Sequence, residues 1–379
     1  MDSILLSSVL SFIITYLSIP IIIAVAQMKK LYDVPDDRKV HSAPIPSLGG
    51  LGMFAAISFS VLVFIPFARA EEFQYFMAAA LVIFFLGLKD DILVITWMKK
   101  FLGQFLAALL IMYKGGIQIG DMHGFLGIHE LPMASSVVFT LLTIIVIINS
   151  FNLIDGVDGL AASLGLISLS CFGAYFLFVG QEPYAMLAFI TAGSLLAFLI
   201  FNHSPARIFM GDTGSLLLGM VNAILVIRFI GTAGDPTSPL PLNASPAIGF
   251  AVLMVPLFDT LRVFALRILS RRSPFSPDRN HVHHLLLDLG LSHSAVTYVC
   301  VAFNIVAIVY AFFLRDFGTT FLLVSMVSAS AAVTGLLIHL KSRRKTQEEE
   351  TDMELEPSPL RSSRLLTFRR KNIALPEDN

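Results

Sequence analysis

Apolar stretches of about 20 residues, long enough to cross a hydrocarbon layer as a helix, recur along most of this chain. About eleven can be read, near residues 4–27, 47–68, 73–88, 101–113, 135–153, 160–179, 183–201, 213–230, 247–269, 295–314 and 318–340. The expected architecture is an all-α, polytopic integral membrane protein of about 10–11 transmembrane helices. Composition agrees: of 379 residues, 56% are hydrophobic and only 14% charged, against about 25% charged in soluble proteins. The first run lacks a cationic leader and a small-residue cleavage site, so it is expected to be a retained helix rather than a signal peptide. Residues 341–379, beginning KSRRKTQEEETDMELEPSP, are charged and poor in core-forming residues, and are expected to form a disordered tail.

Lys plus Arg number 26 and Asp plus Glu 27, which excludes a generally basic protein that binds nucleic acid by neutralising phosphates. Two cysteines, Cys171 and Cys300, lie inside apolar runs and offer neither a disulfide framework nor a Cys-based zinc site. Cations concentrate in one set of loops: Lys29, Lys30, Arg38, Lys39, Lys89, Lys99, Lys100, Arg207, Arg271, Arg272 and Arg279, with Lys341, Arg343, Arg344 and Lys345 in the tail. The opposite set holds little beyond Arg69, Lys114 and Arg315. By the positive-inside rule the first set is cytoplasmic, placing the N-terminus outside and the tail inside.

The polar residues then gather on the same side. The cytoplasmic loops contain DVPDDRKVHSAPIPSLGG, KDD, NSFNLIDGVDG, NHSPARIFMGDTGS and SRRSPFSPDRNHVHH, so an active site is expected at the cytoplasmic face. Asp90 and Asp91 could be a solvated helix end. Adjacent carboxylates are better explained where a metal, a cationic partner or proton transfer offsets their repulsion. Asn149, Asn152, Asp155 and Asp158 recur every three residues, which keeps neighbours on one helix face; capping would account for only one or two of them. Gly156 and Gly159 are expected to loosen the helix and let the last carboxylates turn inward. Asp212, between Gly211 and Gly214, reads either as a helix cap or as a carboxylate beside a phosphate-binding helix start. Asp with Asn, phosphate oxygens and water is a magnesium-type ligand set. His281, His283 and His284, beside Arg271, Arg272 and Arg279, suit anion binding. Asp259 and Arg262 sit one turn apart inside a span, as a functional pair or a mutually neutralising one. Arg38, Lys39 and His41 precede Pro44, Pro46, Gly49 and Gly50, as membrane anchors or as ligands.

The order DRKxHxxPxPxxGG, DD, NxxNxxDGxDGLA, FMGDxGS, FDTLRV and SPFSPDRNHVHH, over about residues 30 to 290, resembles the polyprenyl-phosphate N-acetylhexosamine-1-phosphate transferase family of membrane enzymes. Members attack a UDP-aminosugar with a polyprenyl phosphate, release UMP and leave the sugar on a lipid diphosphate, with magnesium required. HVHHLLLDLGLS resembles the branch that uses UDP-GlcNAc or a similar UDP-HexNAc to start O-antigen, teichoic acid or other surface glycans, rather than the peptidoglycan branch. The resemblance implies Asp212 as principal magnesium ligand with Asn152 beside it, manganese being the alternative ion. Asp90 and Asp91 would approach the phosphate of undecaprenyl phosphate, and Asp155 and Asp158 would orient nucleotide or metal. Arg279, His281, His283 and His284 would hold phosphate or sugar, and Arg38, Lys39, His41, Asn149, Asp259 and Arg262 complete the substrate-binding set. Pairing of the enzyme with a second copy is left open. Two other classes compete. A CDP-alcohol phosphatidyltransferase shares the DxxDG opening but needs further spaced aspartates that do not follow here. A transporter would place its charges at mid-membrane, often in repeated halves.

Overall fold

The computed structural model of the chain describes residues 2–31, 45–271 and 280–355. Each apolar run becomes a helix or a pair of helices. In order these are α1 (Asp2–Lys29), α2 (Gly49–Phe64), α3 (Glu72–Ile92), α4 (Trp97–Leu109), α5 (Met133–Ile154), α6 (Leu160–Phe178), α7 (Glu182–Asn202), α8 (Gly211–Gly234), α9 (Ser245–Val252), α10 (Met254–Leu269), α11 (Val282–Asp288), α12 (His293–Phe313) and α13 (Thr319–Leu355). A π-helical turn, Leu110–Lys114, extends α4. A short antiparallel hairpin, β1 (Asp121–Phe125) and β2 (Ile128–Glu130), precedes α5. The protein is an all-α polytopic membrane protein. Among the described residues, seven helices can cross a membrane by length and composition, or eight spans if α9 and α10 form one. The eleven apolar runs exceed this count through α2, α3 and α4.

The core is centred on α8, which packs against α2, α3, α5, α6, α7 and α9 and is buried almost continuously from Thr213 to Ile227. On the far side α1 lies along α7, where Thr15 and Ser194 share a buried hydrogen bond of 2.8 Å.

The run at 247–269, expected as one straight span, is two helices bent by 89°. Pro256 has no N–H for a continuous ladder, and Asn304 of α12 closes the gap from both sides: it accepts from Val255 N–H at 3.1 Å and donates to the Val252 carbonyl at 3.0 Å. The chain's last helix also differs from expectation. α13 runs to Leu355, well past residue 341, because Lys, Arg, Gln and Glu are good helix formers. Its charged extension is anchored by Lys341, which pairs with Asp288 at 2.7 Å, and by Arg344, which donates to the Leu289 carbonyl at 2.6 Å.

Candidate active site

The start of α8 depends on glycine. Gly211 has φ +69°, and a Cβ there would lie 2.1 Å from the Ser47 carbonyl oxygen and 2.8 Å from Asp91 Oδ1, so a side chain is excluded by both backbone conformation and space. With α8 seated this closely on the end of α3, the Asp91 carboxylate accepts from Asp212 N–H at 2.7 Å, Thr213 N–H at 3.0 Å and the Thr213 hydroxyl at 2.5 Å. α8 has no side-chain cap of its own at Met210. Asp91 supplies one from another helix, satisfying amides that a helix start leaves free.

The Asp212 side chain meets α4 and α5. Lys100 donates to Asp212 Oδ2, pairs with Asp90 Oδ2 at 3.0 Å and reaches Asn152 Oδ1 at 3.2 Å. The other oxygen of Asp90 accepts from Ile95 N–H at 2.9 Å. Asn152 donates to Asp212 Oδ1 at 2.6 Å and to Ser215 Oγ at 3.0 Å. One turn along, the amides of Gln104 and Asn149 bond each other twice, at 2.7 and 3.3 Å, which fixes α4 against α5. Lys100 and Gln104 share a face because they are four residues apart.

The facing wall comes from α10 and α11. Buried Asp259 accepts from Arg262 at 2.9 Å and from Val282 N–H at 3.0 Å, and bonds His281 Nδ1 at 2.9 Å. Asp259 thus caps α11 and turns the other ring nitrogen of His281 outward. Arg262 also donates to the Asn280 carbonyl. Between the walls lies a cavity of about 380 Å³ lined by Trp97, Lys100, Phe101 and Gln104 on α4, by Asn149, Asn152, Asp155 and Gly156 at the end of α5, and by Phe264, Arg267, His281, His283 and His284. Gly156 admits the histidines: a Cβ there would lie 2.6 Å from His283 Nε2. Burial, reinforced by neighbouring His284, pushes the His283 imidazole down to about 3, so it is neutral at physiological pH. Burial and then the carboxylates of Asp212, Asp91 and Asp158 push Asp155 well above the usual carboxylate range.

The structure therefore gathers Asp90, Asn149, Asn152, Asp155, Asp212, His281, His283 and His284 around one cavity or its rim. Three expected roles need correction. Asp91 is engaged as the cap of α8, its two oxygens taking three donors from Asp212 and Thr213. Asp158 does not line the cavity; it is buried against the Ala206 N–H at 3.1 Å and His293 at 3.5 Å, because the helix ends at Ile154 and the three-residue spacing no longer fixes a face. Asp259 and Arg262 bind each other and position His281 rather than lining the cavity. Arg38, Lys39, His41 and Arg279 lie outside the described residues. Sequence reading missed Lys100, Gln104 and Arg267. Lys100 reads as an ordinary loop cation, and its signal was the pairing with Gln104 on the polar face of an otherwise apolar helix.

A membrane-embedded helical bundle with a carboxylate, amide and cation cluster opening at one end defines the class: a polytopic membrane protein with a polar site at one end of its bundle. Residues 73–230 match glycosyl transferase family 4, a segment that contains Asp90 through Asp212. A Bacillus subtilis protein named "Probable undecaprenyl-phosphate N-acetylglucosaminyl 1-phosphate transferase" is 31% identical over 353 residues, covering 89% of this chain and 95% of its own length. "Decaprenyl-phosphate N-acetylglucosaminephosphotransferase" of Mycobacterium leprae is 31% identical over 356 residues, 86% of this chain and 88% of its own. "Undecaprenyl-phosphate alpha-N-acetylglucosaminyl 1-phosphate transferase" of Escherichia coli K12 is 30% identical over 276 residues, 71% and 72% respectively. The chain belongs to the polyprenyl-phosphate N-acetylhexosamine-1-phosphate transferase family.

Proposed function

We propose that this protein transfers N-acetylhexosamine 1-phosphate, GlcNAc 1-phosphate first among them, from a UDP-sugar to undecaprenyl phosphate, forming the lipid diphosphate that begins a surface glycan. The observation that carries this reading is the cavity itself, with Lys100 and Asn152, backed by the Asp90 and Asp212 carboxylates they contact, on one wall and Arg267 with the histidines on the other. Cations for a diphosphate and amides for a sugar face one another across it. An oxygen of the acceptor phosphate attacks the β-phosphorus of the donor, the bond from that phosphorus to the bridging oxygen breaks, and UMP leaves with the electron pair. The acceptor needs no base, because a phosphate monoester with a second pKa of about 6 is largely dianionic at neutral pH.

The donor set fits magnesium, with manganese as the alternative ion. Asp90 and Asp212 present carboxylate oxygens on either side of the Lys100 ammonium, with Asn152 adjacent. One or two carboxylates with an amide oxygen nearby suit an ion whose remaining ligands are substrate phosphates and water. Bound there, magnesium would neutralise charge developing on the departing UMP. Lys100 holds the Asp90 and Asp212 carboxylates together beforehand and offers its own charge to the diphosphate. Arg267, also set over the Phe264 ring at 5.8 Å, and His281, oriented by Asp259, grip the sugar phosphate from the other side.

The acceptor chain would reach the cavity between α4 and α10. Leu93, Val94, Met98 and Leu102 on one side and Leu266, Ile268 and Leu269 on the other are exposed apolar residues flanking Trp97, Phe101 and Phe264 of the lining. We place the site on the cytoplasmic face of the inner membrane, with the N-terminus outside, on the distribution of Lys and Arg. A cavity of this size suits UDP-GlcNAc or a close UDP-HexNAc better than UDP-MurNAc-pentapeptide, whose peptide amides and carboxylates need polar partners. The test is a purified-enzyme screen of UDP-HexNAc donors against undecaprenyl phosphate with magnesium, measuring UMP. UMP release from UDP-GlcNAc is expected; faster turnover of the pentapeptide donor, or no UMP from any donor, would defeat the reading.

A further inference from the structure

At the end of the bundle opposite the carboxylates lies a second cavity of about 410 Å³, walled by the ends of α6, α7 and α8 and by residues 116–118 and 235–239. Arg228 is the single cation among the described residues lining it. It sits half-buried in the largely apolar second half of α8, a position where a charge is costly and usually functional. Its stem is fixed: Nε donates to Gln181 Oε1 at 2.9 Å, and Gln181 in turn donates to Thr232 Oγ1 at 3.1 Å. The guanidinium lies 4.8 Å from the centroid of the Tyr184 ring, whose hydroxyl donates to Glu72 at 3.1 Å. These contacts leave the two terminal nitrogens to the cavity, and among the described residues no carboxylate lies within ion-pair distance of Arg228. Asp235, the carboxylate lining the same space, is turned onto its own loop, where Oδ1 accepts from the Thr237 N–H at 2.8 Å and its hydroxyl at 2.7 Å. The wall is open at Gly116 and Gly231, where an added Cβ would meet nothing within 4 Å.

We propose that this cavity binds an oxyanion, a phosphate group above all, with the terminal nitrogens of Arg228 gripping two of its oxygens. A guanidinium held flat with two parallel N–H bonds free matches such a group bidentately, and the low-dielectric wall strengthens the attraction. A free phosphate and the phosphodiester of a lipid headgroup present the same oxygens. The site is separate from the transfer cavity and does not depend on what that cavity binds.

The test is the thermal midpoint of the full-length protein in neutral detergent, titrated with inorganic phosphate against chloride of equal ionic strength, and separately with phosphatidylglycerol mixed into the micelles. Wild type, Arg228→Gln and Gly231→Leu are compared. Gly231→Leu fills the open space one turn from Arg228 while keeping the guanidinium, and it replaces a helix-interior glycine with a better helix former, so it remains folded if Arg228→Gln does not. A saturable rise of about 2 °C or more in wild type, lost in Gly231→Leu and in any folded Arg228→Gln, supports the proposal. If phosphate alone produces it the ligand is a free anion; if only phosphatidylglycerol does, it is a headgroup. Equal shifts in wild type and Gly231→Leu, or none with either probe, overturn it.

Discussion

Asp91→Asn separates a helix-capping carboxylate from a catalytic one. The native carboxylate takes two donors from Thr213 on one oxygen and the Asp212 N–H on the other. An amide of the same shape has a single acceptor, so its NH₂ must face at least one N–H of the α8 start. A buried donor left without an acceptor costs about 1–3 kcal/mol, the scale of losing an N-cap, about 0.5–2 kcal/mol. We expect a destabilisation of about 2 kcal/mol and a fall of about 4 °C in the thermal midpoint. Because the same hydrogen bonds aim Asp212, turnover should also fall, by about 10²-fold as for a misplaced catalytic group. Asp212→Asn is the comparison: it should lose turnover to a similar degree, as when one preorganised electrostatic contact is removed, yet melt closer to wild type, since its amide faces the partly exposed Lys100 and Asn152 side chains, which can turn to water, rather than backbone amides that cannot. Melting curves in detergent and UMP release on the same preparations give both numbers. An Asp91→Asn protein that melts with wild type and loses only turnover would refute the capping role.

His283, held neutral with its pKa near 3, sets a sign for acid sensitivity. Between pH 3 and about 6.5 the unfolded chain binds a proton that the folded one refuses, so this contribution to stability is complete above about 6.5 and lost as pH falls. It amounts to about 1.4 kcal/mol between pH 7.5 and 5.5, and the difference in thermal midpoint between those pH values should narrow in His283→Gln; an unchanged difference would contradict the burial argument. Gly156→Ala should push His283 from its place, raising the KM for the donor several-fold with little effect on melting, and an unaltered KM would show that the imidazole does not line the donor site. Ser204→Cys should resist a membrane-impermeant thiol reagent in intact cells, and labelling from outside would invert the proposed topology.

The spans were legible because a run of about 20 apolar residues has few alternatives to a membrane helix. The break between α9 and α10 was not, since the residue that satisfies it, Asn304, comes about fifty positions later. The placement of Asp212 at a helix start and of Asn152 near a helix end was legible from glycine-flanked and periodic patterns. Asp158 was misjudged because periodicity says nothing once the helix has stopped at Ile154. Lys100 and Arg267 were invisible for a related reason: a lone cation near a helix end is what the positive-inside rule expects everywhere, and only the packing of α4 and α10 onto α5 distinguishes these two. The disordered tail was placed too early because low apolar content excludes a core without excluding a helix.

The most direct measurement follows the label from UDP-GlcNAc carrying ³²P in its β-phosphate, incubated with the purified protein, undecaprenyl phosphate and magnesium. Transfer of the sugar as its 1-phosphate predicts label in the lipid and unlabelled UMP in solution, with both lost in Asp212→Asn. Label remaining in released UDP would mean that the sugar moves without its phosphate, and would contradict attack at the β-phosphorus.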